Sequence, residues 1–277
     1  MEKKLNPDRK NKTIMRRLHT NGFSSADNLI KTLMLLDLQL EPGDSILDFG
    51  CGSGSLVYEF LDRGYHACGF DIHNYTSLRQ PEDIRFFRFP ETQDKSSKTD
   101  FLIDDSFRLP CEDASFDFVF STQVLEHIHN LDAVAREIAR VLKPGGIALH
   151  VYPRRCALVE THTLIPFNGM FNSASYMRFW AGIGIRNEHQ KGISSTETLQ
   201  RNMDYHKTGL FYRTRREIRD ICARHYSQTA FLRNQYYANR PFITPGKVLE
   251  FCRILMGKNR LRNMASASKM EVLATFK

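Results

Sequence analysis

The sequence lacks the long apolar run that a membrane-spanning helix needs. About 20 consecutive apolar residues are required to cross a bilayer, whereas the run Leu33-Met34-Leu35-Leu36 is flanked by Lys31 and Asp37. This run therefore predicts an amphipathic helix. The basic N-terminus has no apolar core followed by a small-residue cleavage site, so a secretory signal is not expected.

Closely spaced cysteine pairs are also missing. The six cysteines include no C-x-x-C motif and are scattered over positions 51, 68, 111, 156, 222 and 252. Cysteines distributed in this way are typical of reduced thiols and predict a cytoplasmic protein. The sequence also has no internal repeat or low-complexity segment, and its 42% hydrophobic and 25% charged residues are ordinary for a globular fold.

Basic residues outnumber acidic ones. The 277 residues include 39 Lys and Arg against 31 Asp and Glu, which gives a net charge of +8 and a pI near 9.2. Much of the excess falls in residues 201–262. A basic segment of this kind can serve a nucleic acid, an anionic small molecule or only solubility.

The chain is organised around the glycine-rich segment Gly50-Cys51-Gly52-Ser53-Gly54. The segment follows the apolar run Ile46-Leu47-Asp48-Phe49, and from Ser55 onwards apolar residues recur at helical spacing. This pattern predicts a strand, a tight turn and a helix. Glycine lets the main chain turn sharply and lets a ligand lie against bare backbone near the amide groups of the helix start.

Two acidic residues indicate which ligand this turn binds. A dinucleotide fingerprint requires G-x-G-x-x-G, whereas this turn reads G-x-G-x-G and closely follows Asp48. Asp48 would repel a pyrophosphate but would suit a cationic amino-acid group. Asp71 closes the next apolar run, His66–Ile72, where a strand-end carboxylate can accept both hydroxyls of a ribose. The implied ligand has a ribose and a positive group but no diphosphate.

Further motifs follow the glycine turn and Asp71. They are Asp105-Ser106-Phe107-Arg108-Leu109-Pro110, Ser115-Phe116-Asp117-Phe118-Val119, Val124-Leu125-Glu126-His127 and Leu142-Lys143-Pro144-Gly145-Gly146. In order and spacing over about residues 40–152, the chain resembles class I S-adenosylmethionine-dependent methyltransferases. It most resembles the branch that contains the ubiquinone and menaquinone biosynthesis enzymes and many natural-product methyltransferases.

The resemblance implies S-adenosyl-L-methionine as the cofactor. The carboxylate of Asp105 and the backbone amide at Ser106 suit an adenine amino group and ring nitrogen, although the adjacent Asp104 is an alternative contact. The full predicted cofactor-binding set is Asp48, Gly50, Cys51, Gly52, Gly54, Asp71, Ile72, Asp105, Ser106, Ser121 and Gln123.

Alternating strands and helices predict an α/β fold. We expect a Rossmann-like, doubly wound, mostly parallel seven-stranded sheet with a cap insertion. The resemblance implies that the last strand of this sheet is antiparallel. The third strand is expected at Phe101-Leu102-Ile103-Asp104, after an irregular stretch at 73–99. The predicted divisions are an N-terminal arm and helix at 1–40, a cofactor-binding core at 41–152, an aromatic substrate cap at 153–213 and the C-terminal part of the core at 214–277.

Methyl transfer from a sulfonium requires the protein to align the acceptor, exclude water and, for an oxygen acceptor, remove a proton. His127, after strand four, and His162, after strand five, are the candidate bases because imidazole titrates near neutral pH. Glu126, His127 and His129 lie close in sequence, but no further ligands arrive at zinc-like spacing, so no metal site is predicted. The expected acceptor is a small molecule such as a natural product, sugar or quinone, methylated at oxygen in preference to nitrogen. An anionic group on it would explain the nearby arginines.

Two other functions stay open at this stage. Arginines interleaved with Tyr and Phe in the C-terminal half suit an RNA methyltransferase or an RNA-binding protein, although Arg215, Arg216 and Arg219 fall on a predicted amphipathic helix. A catalytically silent methyltransferase-like scaffold is the other possibility, and the intact Asp48 and Asp71 argue against it. The sequence makes no prediction of the oligomeric state.

Overall fold

Seven strands form one sheet in the computed structural model, which describes residues 25–72, 86–88, 103–157, 159–233 and 270–277. The sheet order is β3-β2-β1-β4-β5-β7-β6. The last strand, β7, is antiparallel to both of its neighbours, and the other pairs are parallel. This confirms the predicted sheet. The strands are β1 (Ser45–Phe49), β2 (His66–Asp71), β3 (Phe86–Arg88), β4 (Phe116–Thr122), β5 (Leu142–Pro153), β6 (Gln228–Phe231) and β7 (Met270–Phe276).

Helices cover both faces of this sheet. Successive residues of a strand point to opposite faces, so Phe118 and Phe120 of β4 pack with α1 and α2, whereas Val119 packs with α3 and α6. All three side chains are fully buried, as is usual for a parallel sheet covered on both sides. The helices are α1 (Ser25–Met34), α2 (Ser55–Leu61), α3 (Leu131–Val141), α4 (Ala174–Gly182), α5 (Ser195–Thr208) and α6 (Arg215–Cys222).

Side-chain caps fix where several helices begin. Thr214 and Glu217 form a reciprocal capping box at the start of α6, and the Ser194 hydroxyl accepts a hydrogen bond from the Glu197 amide at the start of α5. In the sequence, the spacing from Ser194 to Glu197 and from Thr214 to Glu217 is the capping-box pattern that predicts these two starts. The helix α4, capped by Ser173, was not predicted within the aromatic segment.

The third strand does not lie where the sequence suggested. It is β3, inside the stretch expected to be irregular, and it pairs with β2 from Gly69 opposite Phe86 to Asp71 opposite Arg88. Ile103 and Asp104 are in irregular chain, and residues 101–102 lie outside the described ranges. Periodicity cannot separate two short apolar segments. In addition, the Asp104 carboxylate accepts hydrogen bonds from the Ser106 amide and hydroxyl, which favours a turn over strand pairing.

Other predicted features fall partly or wholly beyond the described ranges. The basic arm at 1–20 and the loop-and-helix segment at 241–266 lie outside them, and the fourfold division of the chain stays a prediction. Within the described residues, no helix combines the length and apolar character needed to cross a bilayer. No disulfide joins the five cysteines that the structure describes.

Gly50 allows the loop after β4 to approach the turn after β1. Its φ is +81°, and a Cβ atom there would lie 2.3 Å from Cγ2 of Val124. We predict that Gly50→Ala lowers the free energy of unfolding by roughly 3 kcal/mol, because left-handed strain adds to the clash. Urea unfolding measures this loss. The control is Gly64→Ala, where φ is +84° but no atom lies within 4 Å of the added Cβ. Equal losses in the two variants would contradict the contact.

Candidate active site

The glycine turn after β1 is attached to the end of β2 by backbone amides. The amides of Gly50 and Cys51 both donate to the Phe70 carbonyl, at 2.7 and 3.0 Å. The Gly52 amide donates to Oδ2 of Asp71 at 2.7 Å. A Cβ atom at Gly52 would meet no atom within 4 Å, so open space lies beside this part of the main chain. The turn thus offers a ligand bare backbone beside a carboxylate.

Asp48 is a buried carboxylate in the middle of the sheet, only 2% exposed. Its strand pairs with β2 at Gly69 and with β4 at Phe120. Burial, and then the charge of Asp71, raise the pKa of Asp48 well above its ordinary value. Its Oδ1 has no hydrogen-bond partner among the described residues. A bound positive group would supply both a donor and a compensating charge at this position.

Asp104, Asp105 and Ser106 divide their roles. The Asp104 carboxylate accepts hydrogen bonds from the Ser106 amide at 2.8 Å and from the Ser106 hydroxyl at 2.6 Å, so Asp104 caps the turn. The Asp105 carboxylate accepts a hydrogen bond from Nδ2 of Asn130 at 2.8 Å, and the Asp105 carbonyl accepts one from Arg136. This arrangement leaves Asp105 as the better candidate for the predicted adenine contact.

The remaining predicted cofactor residues differ in what they offer. The Ser121 side chain is fully buried and its Oγ is hydrogen-bonded to Nδ1 of His150 at 2.8 Å, so only the main chain of Ser121 is left for a ligand, and the contact stays a prediction. Gln123, exposed at the end of β4, has a φ of +57° and donates its amide to Val151. Cys51 and Ile72 are half-buried beside the turn, and Gly54 is the N-cap of α2.

The loop after β4 carries Glu126 and His127 next to the glycine turn, because Val124 of the same loop packs against Gly50. Glu126 is 2% exposed. Neither of its carboxylate oxygens has a hydrogen-bond partner in the part of the chain that the structure describes. Burial raises the pKa of Glu126 to about 7.

Two histidines converge on Glu126. The Nδ1 atom of His127 lies 2.6 Å from the Gly209 carbonyl, and that of His162 lies 2.7 Å from Oε1 of Glu160. Because a carbonyl and a carboxylate only accept, each Nδ1 carries the proton. The Nε2 atoms lie 3.7 Å (His127) and 4.0 Å (His162) from Oε1 of Glu126, and the two rings meet edge-on at 4.9 Å. The two candidate bases therefore share one site.

Glu160 holds His162 in place. Its carboxylate accepts hydrogen bonds from Nδ1 of His162, the amide and hydroxyl of Thr163, and the hydroxyl of Tyr212. Although burial acts in the other direction, these bonds lower the pKa of Glu160 to about 2. Sequence reasoning did not select Glu160 or Tyr212. The spacing Glu160-x-His162 was a usable signal, whereas Tyr212 comes from 52 residues along the chain.

The two histidines have opposite pKa shifts. Burial lowers the pKa of His127 below its ordinary value. Burial also disfavours the charged form of His162, but its hydrogen bond with Glu160 and the charges of Glu160 and Glu126 raise its pKa above the ordinary value. His162 therefore binds a proton more readily than His127 does.

A cavity of about 740 Å³ opens beside this cluster. His162 and Tyr205 form its inner wall, and the two rings are 5.5 Å apart. The rest of the lining comes from the cap and is largely polar, including Arg186, Asn187, Gln190, Arg201 and Asn202. This volume is sufficient for a drug-sized molecule.

Glu126, His127 and His162 also place three potential metal-ligand atoms within 4.8 Å of one another. Ligand atoms around a single zinc ion lie closer, roughly 3.3 Å apart for bonds near 2.0 Å. The distances of 3.7 and 4.0 Å from Glu126 are longer than that. The absence of a metal site stays a prediction.

A profile described as "Methyltransferase domain" matches residues 21–210, more than half of the chain. The chain belongs to the methyltransferase domain family. The match contains the glycine turn, Asp48, Asp71 and both candidate bases, and it continues through α4 and α5 of the cap. It confirms the resemblance seen over residues 40–152.

Curated members of this family match part of the chain. A sterol 24-C-methyltransferase of Gibberella zeae is 35% identical over 112 residues, which are 40% of this chain and 28% of that protein. A 2-methyl-6-phytyl-1,4-hydroquinone methyltransferase of Synechocystis is 34% identical over 109 residues, 39% of this chain and 31% of that protein. Each match thus spans under a third of the relative. A solved S-adenosylmethionine-dependent methyltransferase of Mesorhizobium loti has a TM-score of 0.48 at 15% identity, over 91% of this chain and 100% of that one.

The raised pKa of Glu126 predicts a pH-dependent stability. The folded protein holds a proton that the unfolded chain releases above about 4.5, so the stability contributed by this carboxyl group is lost as pH rises from about 4.5 through about 7. Relative to Glu126→Gln, the wild-type free energy of unfolding should fall by on the order of 3 kcal/mol from pH 5 to pH 8. Chemical denaturation of both proteins across this range measures the difference. Parallel pH curves would contradict the shift.

Proposed function

We propose that this protein transfers a methyl group from S-adenosyl-L-methionine to an oxygen atom of a small-molecule acceptor. The observation that carries the proposal is the convergence of Glu126, His127 and His162 in a loop cluster that packs on the glycine turn of a methyltransferase domain. Cofactor-binding and proton-accepting groups are thereby adjacent.

The residues of the turn fit the cofactor. The open side of Gly52, the Asp71 carboxylate and the unpartnered Oδ1 of Asp48 match a nucleoside that carries a positive amino-acid group. Asp71 would hold the ribose, Asp105 the adenine, and Asp48 would lie near the amino group. The Ser106 amide would reach the adenine only by leaving the Asp104 carboxylate that it now contacts. The bound donor supplies a methyl group on a positively charged sulfur. The protein's own task is to align the acceptor and remove its proton.

His162 is the base in this proposal. Its Nδ1–H is donated to Glu160, which leaves a free lone pair on Nε2, and the residue lines the 740 Å³ cavity. A hydroxyl placed there would give its proton to Nε2, and the negative charge of Glu160 would stabilise the imidazolium that forms. Tyr212 and Thr163 keep Glu160 ionised and in position. His127, held on the Gly209 carbonyl, packs edge-on against the His162 ring.

The relatives favour a small acceptor over RNA. By their names they methylate a sterol and a hydroquinone, so they support a small molecule but not the choice of oxygen, which rests on the histidine base. The basic helix α6 also gives little to RNA. Its Arg215 is held by both carboxylate oxygens of Glu271, at 2.6 and 2.8 Å, and Arg219 lies over the Phe231 ring.

A donor with a trideuterated methyl group tests the function directly. The protein is incubated with this donor and with cell extract, and mass spectrometry identifies what gains the label. The proposal predicts a labelled small molecule with an O-methyl group. Label in RNA, or on carbon or nitrogen alone, would contradict it.

Asp71 should determine cofactor affinity. Because a hydrogen bond to a charged group contributes about 1.5 to 3 kcal/mol, Asp71→Ala should weaken binding of S-adenosylmethionine by roughly 10- to 100-fold in calorimetry. Asp71→Asn keeps an acceptor for the Gly52 amide and should still bind weakly. Asp220→Ala removes the same charge from the surface of α6 and is the control. Unchanged affinity in both Asp71 variants would refute the assignment.

His162 should be required for turnover but not for cofactor binding. His162→Ala removes the base and should lower the rate of label transfer by roughly 100-fold or more, while calorimetric affinity for S-adenosylmethionine stays the same. His66→Ala is the control, since His66 is exposed at the opposite end of β2. Full activity of His162→Ala would exclude it as the base.

A further inference from the structure

A second cavity, of about 450 Å³, lies at the end of β5 and is lined by four arginines. Arg154 and Arg155 follow the strand directly, and Arg213 and Arg215 come from the start of α6. Glu271 of β7 is the acidic residue of the lining. Thr214, Cys156 and Tyr152 complete its polar part. Such an excess of positive charge around one concave space favours an anionic ligand.

Glu271 neutralises only part of this charge. It forms a bidentate ion pair with Arg215 and lies 3.8 Å from Nε of Arg154. Within the described ranges, Arg155 and Arg213 form no ion pair. The positive charges of both arginines act on Glu217. The pKa of Glu217 is lowered first by its hydrogen bonds with Thr214 and then by these two arginines. Glu217 remains in its capping box outside the cavity lining.

Arg213 is a half-buried cation whose hydrogen bonds go to uncharged groups. Its guanidinium donates to the carbonyls of Phe211 and His129. Burial lowers the pKa of Arg213. Burying a guanidinium without a carboxylate destabilises a fold unless another anion completes the site. The two carbonyls fix its orientation but do not balance its charge.

Tyr152 provides a second, independent indication of a ligand. It is the tyrosine near the end of β5, is 6% exposed, and lines the cavity. Its hydroxyl has no hydrogen-bond partner in the described part of the protein. Burial, and then the charge of Glu271, raise the pKa of Tyr152, so the hydroxyl keeps its proton and can donate. An oxyanion in the cavity would accept this bond.

The arginine cavity adjoins the candidate active site. A narrow space of about 10 Å³ between them is lined by Tyr152 and Arg213 from one side and by Glu126 and Tyr212 from the other. A molecule bound among the arginines thus lies next to Tyr212, which donates to Glu160, and next to Glu126, which is close to His162. The arginine cavity and the candidate active site can therefore form the two ends of one acceptor site.

We propose that the arginine cavity binds a phosphoryl group of the methyl acceptor, through Arg155, Arg213 and Tyr152. This inference rests on the proposed function, because it treats the cavity as one end of the acceptor site. A phosphoryl group carries several oxygens and up to two charges, which suits two unpaired guanidinium groups and one hydroxyl better than a single carboxylate does.

Pyrophosphate and inorganic phosphate are the probes, titrated by calorimetry into protein saturated with S-adenosylhomocysteine. Wild-type protein should bind pyrophosphate, and Arg155→Gln should bind it roughly tenfold more weakly or worse, as expected for loss of a charged hydrogen bond. Arg178→Gln removes one positive charge from exposed α4, away from the cavity, and should bind as the wild type does. Acetate should bind much more weakly than phosphate.

Tyr152→Phe gives a readout that a structural role would not produce. The variant should lose several-fold in pyrophosphate affinity while its melting temperature stays the same or rises, because the substitution removes a buried hydroxyl that has no partner in the fold. Cofactor affinity should be unchanged in all variants.

Four results would overturn the inference: no pyrophosphate binding, wild-type affinity in both Arg155→Gln and Tyr152→Phe, equal weakening by Arg178→Gln, or acetate binding as tight as phosphate. Each is separate from failure of the proposed function. That failure would appear as no binding of S-adenosylhomocysteine by the wild-type protein, measured first in the same instrument, or as label in RNA or on carbon or nitrogen alone in the extract experiment.

Discussion

The hydrogen bond from the Gly52 amide to the Asp71 carboxylate joins the turn after β1 to the end of β2, and the rest of the site depends on this junction. It sets the position of Gly50, whose missing side chain leaves room for Val124. The loop of Val124 in turn carries Glu126 and His127 to the same edge of the sheet. A close backbone approach at two strand ends therefore positions both the acids that we propose for cofactor binding and the groups that we propose to face the acceptor.

Three buried polar groups at this edge have atoms without partners among the described residues: Asp48 of β1, Glu126 after β4 and Tyr152 of β5. Each lowers the stability of the fold, because a buried donor or acceptor loses its water without replacement. Their common position argues that they serve ligands. Asp48 suits a positive group, Glu126 lies with the two histidines, and Tyr152 faces the arginine cavity. In our proposals, bound molecules complete these three groups.

The sequence predicted what short-range patterns determine. The glycine turn, the two strand-end acids and the capped starts of α5 and α6 follow from local motifs, whereas the antiparallel direction of β7 was implied by the family resemblance. Contacts between distant segments were not predictable in this way. The third strand was misplaced because an edge strand of three residues has almost no periodicity, and the hydrogen bond between Ser121 and His150 was not predicted because His150 lies on the next strand. Two contacts depend on how the cap folds back. They are the approach of His162 to Glu126 and the hydrogen bond from the Tyr212 hydroxyl to Glu160.

A crystal structure of the protein with S-adenosylhomocysteine tests the central claim most directly. The account predicts both ribose hydroxyls within hydrogen-bond distance of the Asp71 carboxylate and the amino group of the ligand next to Asp48. The ligand's sulfur should point toward the space between His127 and His162. A nucleoside bound elsewhere, or a dinucleotide filling the glycine turn in its place, would contradict the account.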